Sequence, residues 1–326
     1  MTGPAAERRL VLKRLAQAGA VLGASTAVGW LGLLQAGRFR RGGPSLRVRD
    51  LRVADEDGRP PLVVAHGDGP ALLVRAAVAG LGGMERFVKP GETVLVKPNM
   101  AWDRAPEQGA NTHPEVVAEV VRLCRAAGAR RVVVTDNSVH DAGRVAERSG
   151  IRAAVESARG ELVLAGRSGF QRTTLGGSVL ADWDVLSVLH ECDRLVNVPV
   201  VKHHSLSRLT CGMKNHMGLI GGSRGRLHQE IHAAVVDLAA AFRPTLTVVD
   251  ATRVMMRNGP TGGRLEDVLA VNAVAAGTDP VACDAWAARQ LGLDPSDVGH
   301  VVLAEGRGLG RVAAGAGPVA EVVANG

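Results

Sequence analysis

Four short runs of aliphatic and β-branched side chains constrain this chain most: Thr93-Val94-Leu95-Val96, Arg131-Val132-Val133-Val134, Leu195-Val196-Asn197-Val198 and Thr245-Leu246-Thr247-Val248-Val249. Each is largely apolar on successive residues, not on alternate ones. As a strand it therefore buries both faces, and a sheet covered on both faces is the parallel sheet of a layered α/β fold. Between the first two runs, Thr112-His113-Pro114-Glu115 opens a helix. Thr112 or His113 can cap it, Pro114 suits its first position, and Val116, Val117, Val120, Val121 and Cys124 form an apolar stripe that stops at Gly128. Strand, helix and strand over this length make one right-handed crossover unit. Two further helices are expected over residues 227–242 and 279–291, the first with Ile231, Ala234, Val235, Leu238 and Ala239 on one face. The expected fold class is α/β, with mostly parallel sheets flanked by helices. We expect two subdomains around one cleft, divided near residue 190, after an N-terminal signal or anchor helix. The domain boundaries so read are residues 1–46 and 47–326.

The charge distribution narrows the choice of partners. The formal net charge is +7, and residues 1–50 carry nine Arg or Lys against two acids, so the surplus resides there and the rest of the chain is balanced. A nucleic-acid-binding domain keeps a positive surplus of its own, and an aromatic share of 2% with no Tyr leaves little for base stacking. Nucleic acid is excluded as a partner on these grounds. Glu7-Arg8-Arg9-Leu10-Val11-Leu12-Lys13 precedes an uncharged, weakly apolar run over residues 18–34, a pattern that resembles a twin-arginine (Tat) export signal. No convincing cleavage site follows the run. The protein is thus expected to be exported across, or anchored to, the cytoplasmic membrane, facing the periplasm or cell exterior. Its partners there would be the Tat translocon and, if residues 18–34 are retained, the membrane.

Polar residues gather just after the strand-forming runs, where a parallel sheet opens onto its ligand crevice. Lys97-Pro98-Asn99 follows the first run and Asp136-Asn137-Ser138 the second, with Lys202-His203-His204 and Asp250 after the other two. Residues 202–232 are denser still, holding His203, His204, His216, His228 and His232 with Lys202, Lys214 and several glycines. Lysines drawn into a partly dry cleft lose basicity and become candidate acids or bases, and a glycine-containing loop with Lys214 suits an anion. His228 and His232, four apart, would share one helical face as metal ligands, although Glu230 stands at the wrong offset for a zinc protease. Cys211, next to Gly212 and near Lys214, is the cysteine best placed to ionise. Cys124, Cys192, Cys211 and Cys283 contain no C-x-x-C pair, which excludes a zinc ribbon or ferredoxin cassette and leaves two disulfides open. No Walker sequence or dinucleotide fingerprint is present.

Several ordered motifs carry a family resemblance: Val94-Leu95-Val96-Lys97-Pro98-Asn99; Lys214-Asn215 with Gly218, His228 and Asp237; Val249-Asp250 with Asn258-Gly259-Pro260 and Gly262; and Asp279-Pro280-Val281-Ala282-Cys283-Asp284-Ala285. Over residues 60–310 the chain resembles the domain of unknown function 362 family. The resemblance implies site positions at Lys97, Asn99, Lys214, Asn215, His228, Asp250, Asp279 and Asp284, although Asp279 before Pro280 also reads as a helix cap. Many relatives carry an iron–sulfur cassette that this chain lacks, so that role does not transfer. The combined expectation is a protein that binds an anionic small molecule or cofactor, with or without a metal, for redox or acid–base chemistry. Lys97, Lys202, Lys214 and His216 would be catalytic, Asn99, Asp136, Asn215 and Asp250 would hold the ligand, and His203 and His228 would bind the metal. The competing reading is a non-catalytic cofactor carrier that serves a redox partner through the same pocket.

Overall fold

In the computed structural model residues 46–54, 59–315 and 320–324 are described. The twin-arginine motif and the apolar run over residues 18–34 lie outside the described residues. Among those described, no helix is long and apolar enough to cross a membrane.

The strands are, in chain order, β1 (Leu46–Arg47), β2 (Leu62–Gly67), β3 (Thr93–Pro98), β4 (Arg131–Val134), β5 (Glu161–Leu162), β6 (Phe170–Thr174) and β7 (Asp182–Leu186). They continue with β8 (Arg194–Val198), β9 (Val200–His204), β10 (Arg208–Thr210), β11 (Leu246–Met255), β12 (Val268–Gly277) and β13 (Ala320–Ala324). One large sheet runs in the order β13-β2-β12-β11-β8-β3-β4-β5, with β9 also paired to β11 and β10 to β9. Its β11-β8-β3-β4-β5 half is parallel throughout. β12 runs against both of its neighbours, so the sheet is mixed and mostly parallel. β1, β6 and β7 form a small separate sheet. The protein is thus a mixed α/β fold.

Successive apolar residues do bury both faces. Val94 and Val96 of β3 pack into one core with helices Pro70–Gly80 and Pro114–Ala126, while Leu95 between them joins a second core with Leu195, Leu238 and Phe242. A third core lies around Val249, Ala251, Ala273 and Ala275, under helices Ile231–Ala241, Pro280–Gln290 and Gly299–Gly306. The predicted crossover forms between β3 and β4, and His113 caps its helix by accepting from the Glu115 amide at 3.2 Å.

Two expectations are corrected here. The division near residue 190 is absent: β8 lies between β11 and β3 in the middle of the sheet, and the residues from Leu46 onward make one compact unit. A strand hydrogen-bonded on both sides within a continuous core leaves no linker at which subdomains could part. The helix expected over residues 227–242 instead begins at Ile231, because Arg224–Glu230 is a 3-10 helix. Within that segment Leu227 alone is buried, which leaves no apolar stripe to hold an α-helical turn against the core. His228 and His232 therefore do not share a helical face.

Candidate functional site

At the carboxyl ends of β3, β4 and β9 the sheet opens into a cavity of about 470 Å³. Lys97 and Asn99 enter it from the end of β3, Asp136 from beyond β4, and Lys202 and His204 from β9. Strand alternation selects which residues of β9 face it. Lys202 and His204 do, with Thr210 opposite Lys202 on β10, whereas His203 between them is opposite Leu209 of the neighbouring core. The segment after β10 completes the wall with Lys214, Asn215, Gly218, Arg224 and His228.

Asn215 organises this wall. Its Nδ2 donates to the Lys97 carbonyl at 3.1 Å and to Asn197 Oδ1 at 2.8 Å. Its Oδ1 accepts from Lys97 Nζ at 2.7 Å and from Asn99 Nδ2 at 3.1 Å. All four hydrogen-bonding positions of the amide are thereby used. Asn99 Oδ1 in turn accepts from Lys202 Nζ at 3.1 Å, and Lys202 also donates to the Ala110 carbonyl. Lys97 donates to the Pro98 carbonyl at 2.7 Å and forms an ion pair with Asp136 at 3.0 Å. Asp136 is held from behind by the Met100 amide at 2.6 Å. One continuous network thus joins Lys202, Asn99, Asn215, Lys97 and Asp136. Gly218 closes over it, where a Cβ would fall 1.7 Å from Asp136 Oδ1 and 2.7 Å from Lys97 Nζ.

Charge is unbalanced in the cavity. Among the described residues Lys97, Lys202, Lys214 and Arg224 line it, against Asp136 as the one carboxylate. Burial pushes Lys97 below the ordinary lysine range, and the Asp136 charge opposes that shift. Burial takes Lys202 well below that range, helped by repulsion from Lys214 and Lys97. Lys214 is brought down to about 8 by burial and by the charges of Arg224 and Lys97. Arg224 is held by main-chain carbonyls: Nη1 donates to Asn137 at 2.7 Å and Met217 at 3.3 Å, and Nη2 to Ser138 at 3.1 Å. His204 Nδ1 accepts from the Leu206 and Ser207 amides at 3.1 and 3.3 Å, which places the proton of its neutral ring on Nε2. Burial and the Lys214 charge bring its pKa to about 3, so the ring is a neutral donor. His228 stacks on it with ring centroids 6.2 Å apart.

Seven of the expected site residues therefore meet on one cavity: Lys97, Lys202, Lys214, Asn99, Asp136, Asn215 and His228. Three do not line it. His216 is fully buried with its ring edge on Phe242 at 5.9 Å, and burial, with the Lys97 charge, lowers its pKa to about 3. Asp250 is occupied internally, accepting from the His113 amide at 2.7 Å and from the amide and hydroxyl of Thr252 at 2.9 and 2.7 Å. His203 faces away, and its Nδ1 accepts from the Gly259 amide at 3.3 Å. The metal expectation is also corrected: among the described residues no group of three or more His, Cys, Asp or Glu can hold a metal ion. His232 stacks on His300 at 5.8 Å, away from His228. The four cysteines are free and buried, so the disulfides left open are not formed. Burial and neighbouring Asp284 raise the Cys211 thiol well above its ordinary range, which overturns its reading as a thiolate.

Asp279 and Asp284 serve the scaffold. Asp279 caps helix Pro280–Gln290 through the Val281 and Ala282 amides, both at 2.8 Å. Buried Asp284 accepts from the Met213 amide at 3.3 Å and fixes the backbone that leads into Lys214. Sequence reasoning did not assign site roles to His204, Thr210, Trp102 or Arg224. The period of β9 was a usable signal for His204, since it shares the face of Lys202.

A thylakoid-associated protein of Synechocystis sp. is 29% identical over 255 residues, covering 74% of this chain and 76% of that protein. Among solved structures, the lactate racemase apoprotein from Thermoanaerobacterium thermosaccharolyticum matches with a TM-score of 0.41 and 12% identity over 70% of this chain; the chain spans 57% of that one's length. The model of the family described as domain of unknown function (DUF362) matches residues 94–289, a span that contains every cavity residue named above. On that match, the chain belongs to the DUF362 family.

Proposed function

We propose that this protein binds a small anion, or the anionic end of a small molecule or cofactor, in the cavity at the strand ends and performs acid–base or redox chemistry on it. The observation that carries the reading is the charge imbalance, with three lysines and an arginine facing one carboxylate among the described residues of the cavity. Such a cluster is costly unless counter-charge enters, so an anion stabilises the site and the site holds the anion. Arg224 and Lys214 supply charge at the wall, Asn99 and Asn215 fix the lysines, and His204 Nε2–H donates without adding charge. Burial lowers the basicity of Lys97 and Lys202 and brings Lys214 to about 8, so Lys214 is the lysine placed to exchange a proton near neutrality.

Calorimetric titration of the folded chain with inorganic phosphate and with acetate tests the reading. Saturable binding is expected, weakened roughly tenfold or more in Arg224→Gln through loss of a charge-assisted hydrogen bond of about 1.5–3 kcal/mol. Binding unaffected by that change would refute the site. We also propose that Arg8-Arg9 and residues 18–34 act as an export signal or membrane anchor, a reading supported by the motif and by the relative described as thylakoid-associated. Changing both Arg8 and Arg9 to Lys should leave the protein in the cytoplasmic fraction; unchanged export would refute it.

A further inference from the structure

Lysine is scarce in this chain. Of 39 Lys and Arg residues only five are lysines, at positions 13, 89, 97, 202 and 214. Three of these five line the cavity. Elsewhere among the described residues the ion pairs are built from arginine, as in Arg75–Glu119, Arg131–Glu161 and Arg194–Glu92. Where its side chain is buried, an ammonium differs from a guanidinium in one decisive respect: it can lose its proton and become a nucleophilic amine. Three lysines gathered in an arginine-built protein thus point to amine chemistry as well as charge.

The three are not equivalent. Lys97 is engaged by Pro98, Asn215 and Asp136, and Lys202 by Asn99 and Ala110. Lys214, only 9% exposed, lines the cavity and has no hydrogen-bond acceptor or ion-pair partner among the described residues. Arg224 next to it has three N–H groups committed to main-chain carbonyls. Of the five donors of a guanidinium, the Nε–H and one Nη2–H remain, a pair suited to a carboxylate.

We propose that Lys214 condenses with the carbonyl of a 2-oxo acid whose carboxylate is held by Arg224. This rests on the anion-binding reading and adds a substrate class to it. The unprotonated amine adds to the carbonyl carbon, forming the C–N bond. The carbonyl oxygen then leaves as water with both amine protons, and C=N replaces C=O, so no oxidant or reductant is consumed. Burial and the positive charges around Lys214 favour the unprotonated amine that the first step needs.

The full chain would be incubated separately with pyruvate, glyoxylate and 2-oxoglutarate in the presence of cyanoborohydride, then digested for peptide mass spectrometry. With at least one of the three, Lys214 should gain the mass of the oxo acid less one oxygen, while Lys89 stays unlabelled. The label should vanish in Lys214→Arg, which keeps the charge, and in Lys214→Met, with circular dichroism confirming that each variant is folded. Propionate, which has the carboxylate and no carbonyl, should bind without labelling and should slow labelling by the oxo acid. Binding of propionate and pyruvate with no label at Lys214 would overturn the nucleophile and leave the anion site standing. Absence of both binding and label would overturn both, and label confined to Lys97 or Lys202 would overturn the assignment to Lys214.

Discussion

Asn215 and His216 are adjacent in sequence and have opposite fates, which shows how finely this site is divided residue by residue. Asn215 engages β3 at Lys97 and β8 at Asn197 through its amide. His216 turns back into the core, its two ring nitrogens without partners among the described residues. Proximity to Lys214 made both legible as candidates, but only the direction of each side chain separates them, and residue type does not encode that. A pH dependence follows for His216. Its folded pKa is about 3 and its unfolded reference 6.5, with burial the main cause. Above 6.5 the ring is neutral in both states. As pH falls from 6.5 toward 3 the unfolded chain gains a proton that the native ring refuses, so stability falls with pH across that window. His204 acts in the same direction. Removing one of these two contributions, His216→Phe should show a shallower fall of melting temperature between pH 7 and pH 5 than the wild type. Melting curves with parallel pH dependence would show that the ring is not held neutral.

Strands and helix starts were legible because each rests on a local cause. β4 occupies the residues read from its apolar run, and β3 and β8 extend the runs by no more than two residues. Pro114 and Pro280 sit where helices begin, with His113 and Asp279 as their caps, and a cap of this kind contributes about 1 kcal/mol. Elements whose limits depend on distant partners were less legible. β11 continues to Met255 because β12 pairs with it antiparallel as far as Val268, a contact that its own residues do not announce. The 3-10 segment Arg224–Glu230 interrupted a helix whose apolar stripe is genuine from Ile231 onward. That interruption brings Arg224 and His228 to the cavity and sends His232 to His300, so the expected pair of metal ligands is separated by an element boundary.

For the molecule as a whole, the rule that parallel strands deliver polar residues to one rim found Lys97, Asn99, Asp136 and Lys202, while Lys214, Asn215 and His228 were legible from the dense stretch after β9 and the family motifs. It failed for Asp250 and His203, where buried backbone amides take up the side chain. It also could not foresee that Lys202 would reach Asn99 across 103 positions of sequence, since only the β3-β8-β11-β9 arrangement brings them together. The net result is a cationic cavity in a body whose formal charges balance over residues 51–326, so the attraction for anions is local and long-range steering has little part in it. Bromide, a small anion with a strong anomalous signal, reports on that most directly. In a crystal of the protein soaked in bromide, the account predicts anomalous density inside the cavity, within hydrogen-bonding reach of Lys214 Nζ and Arg224. Density found only beside surface arginines, with none in the cavity, would contradict it.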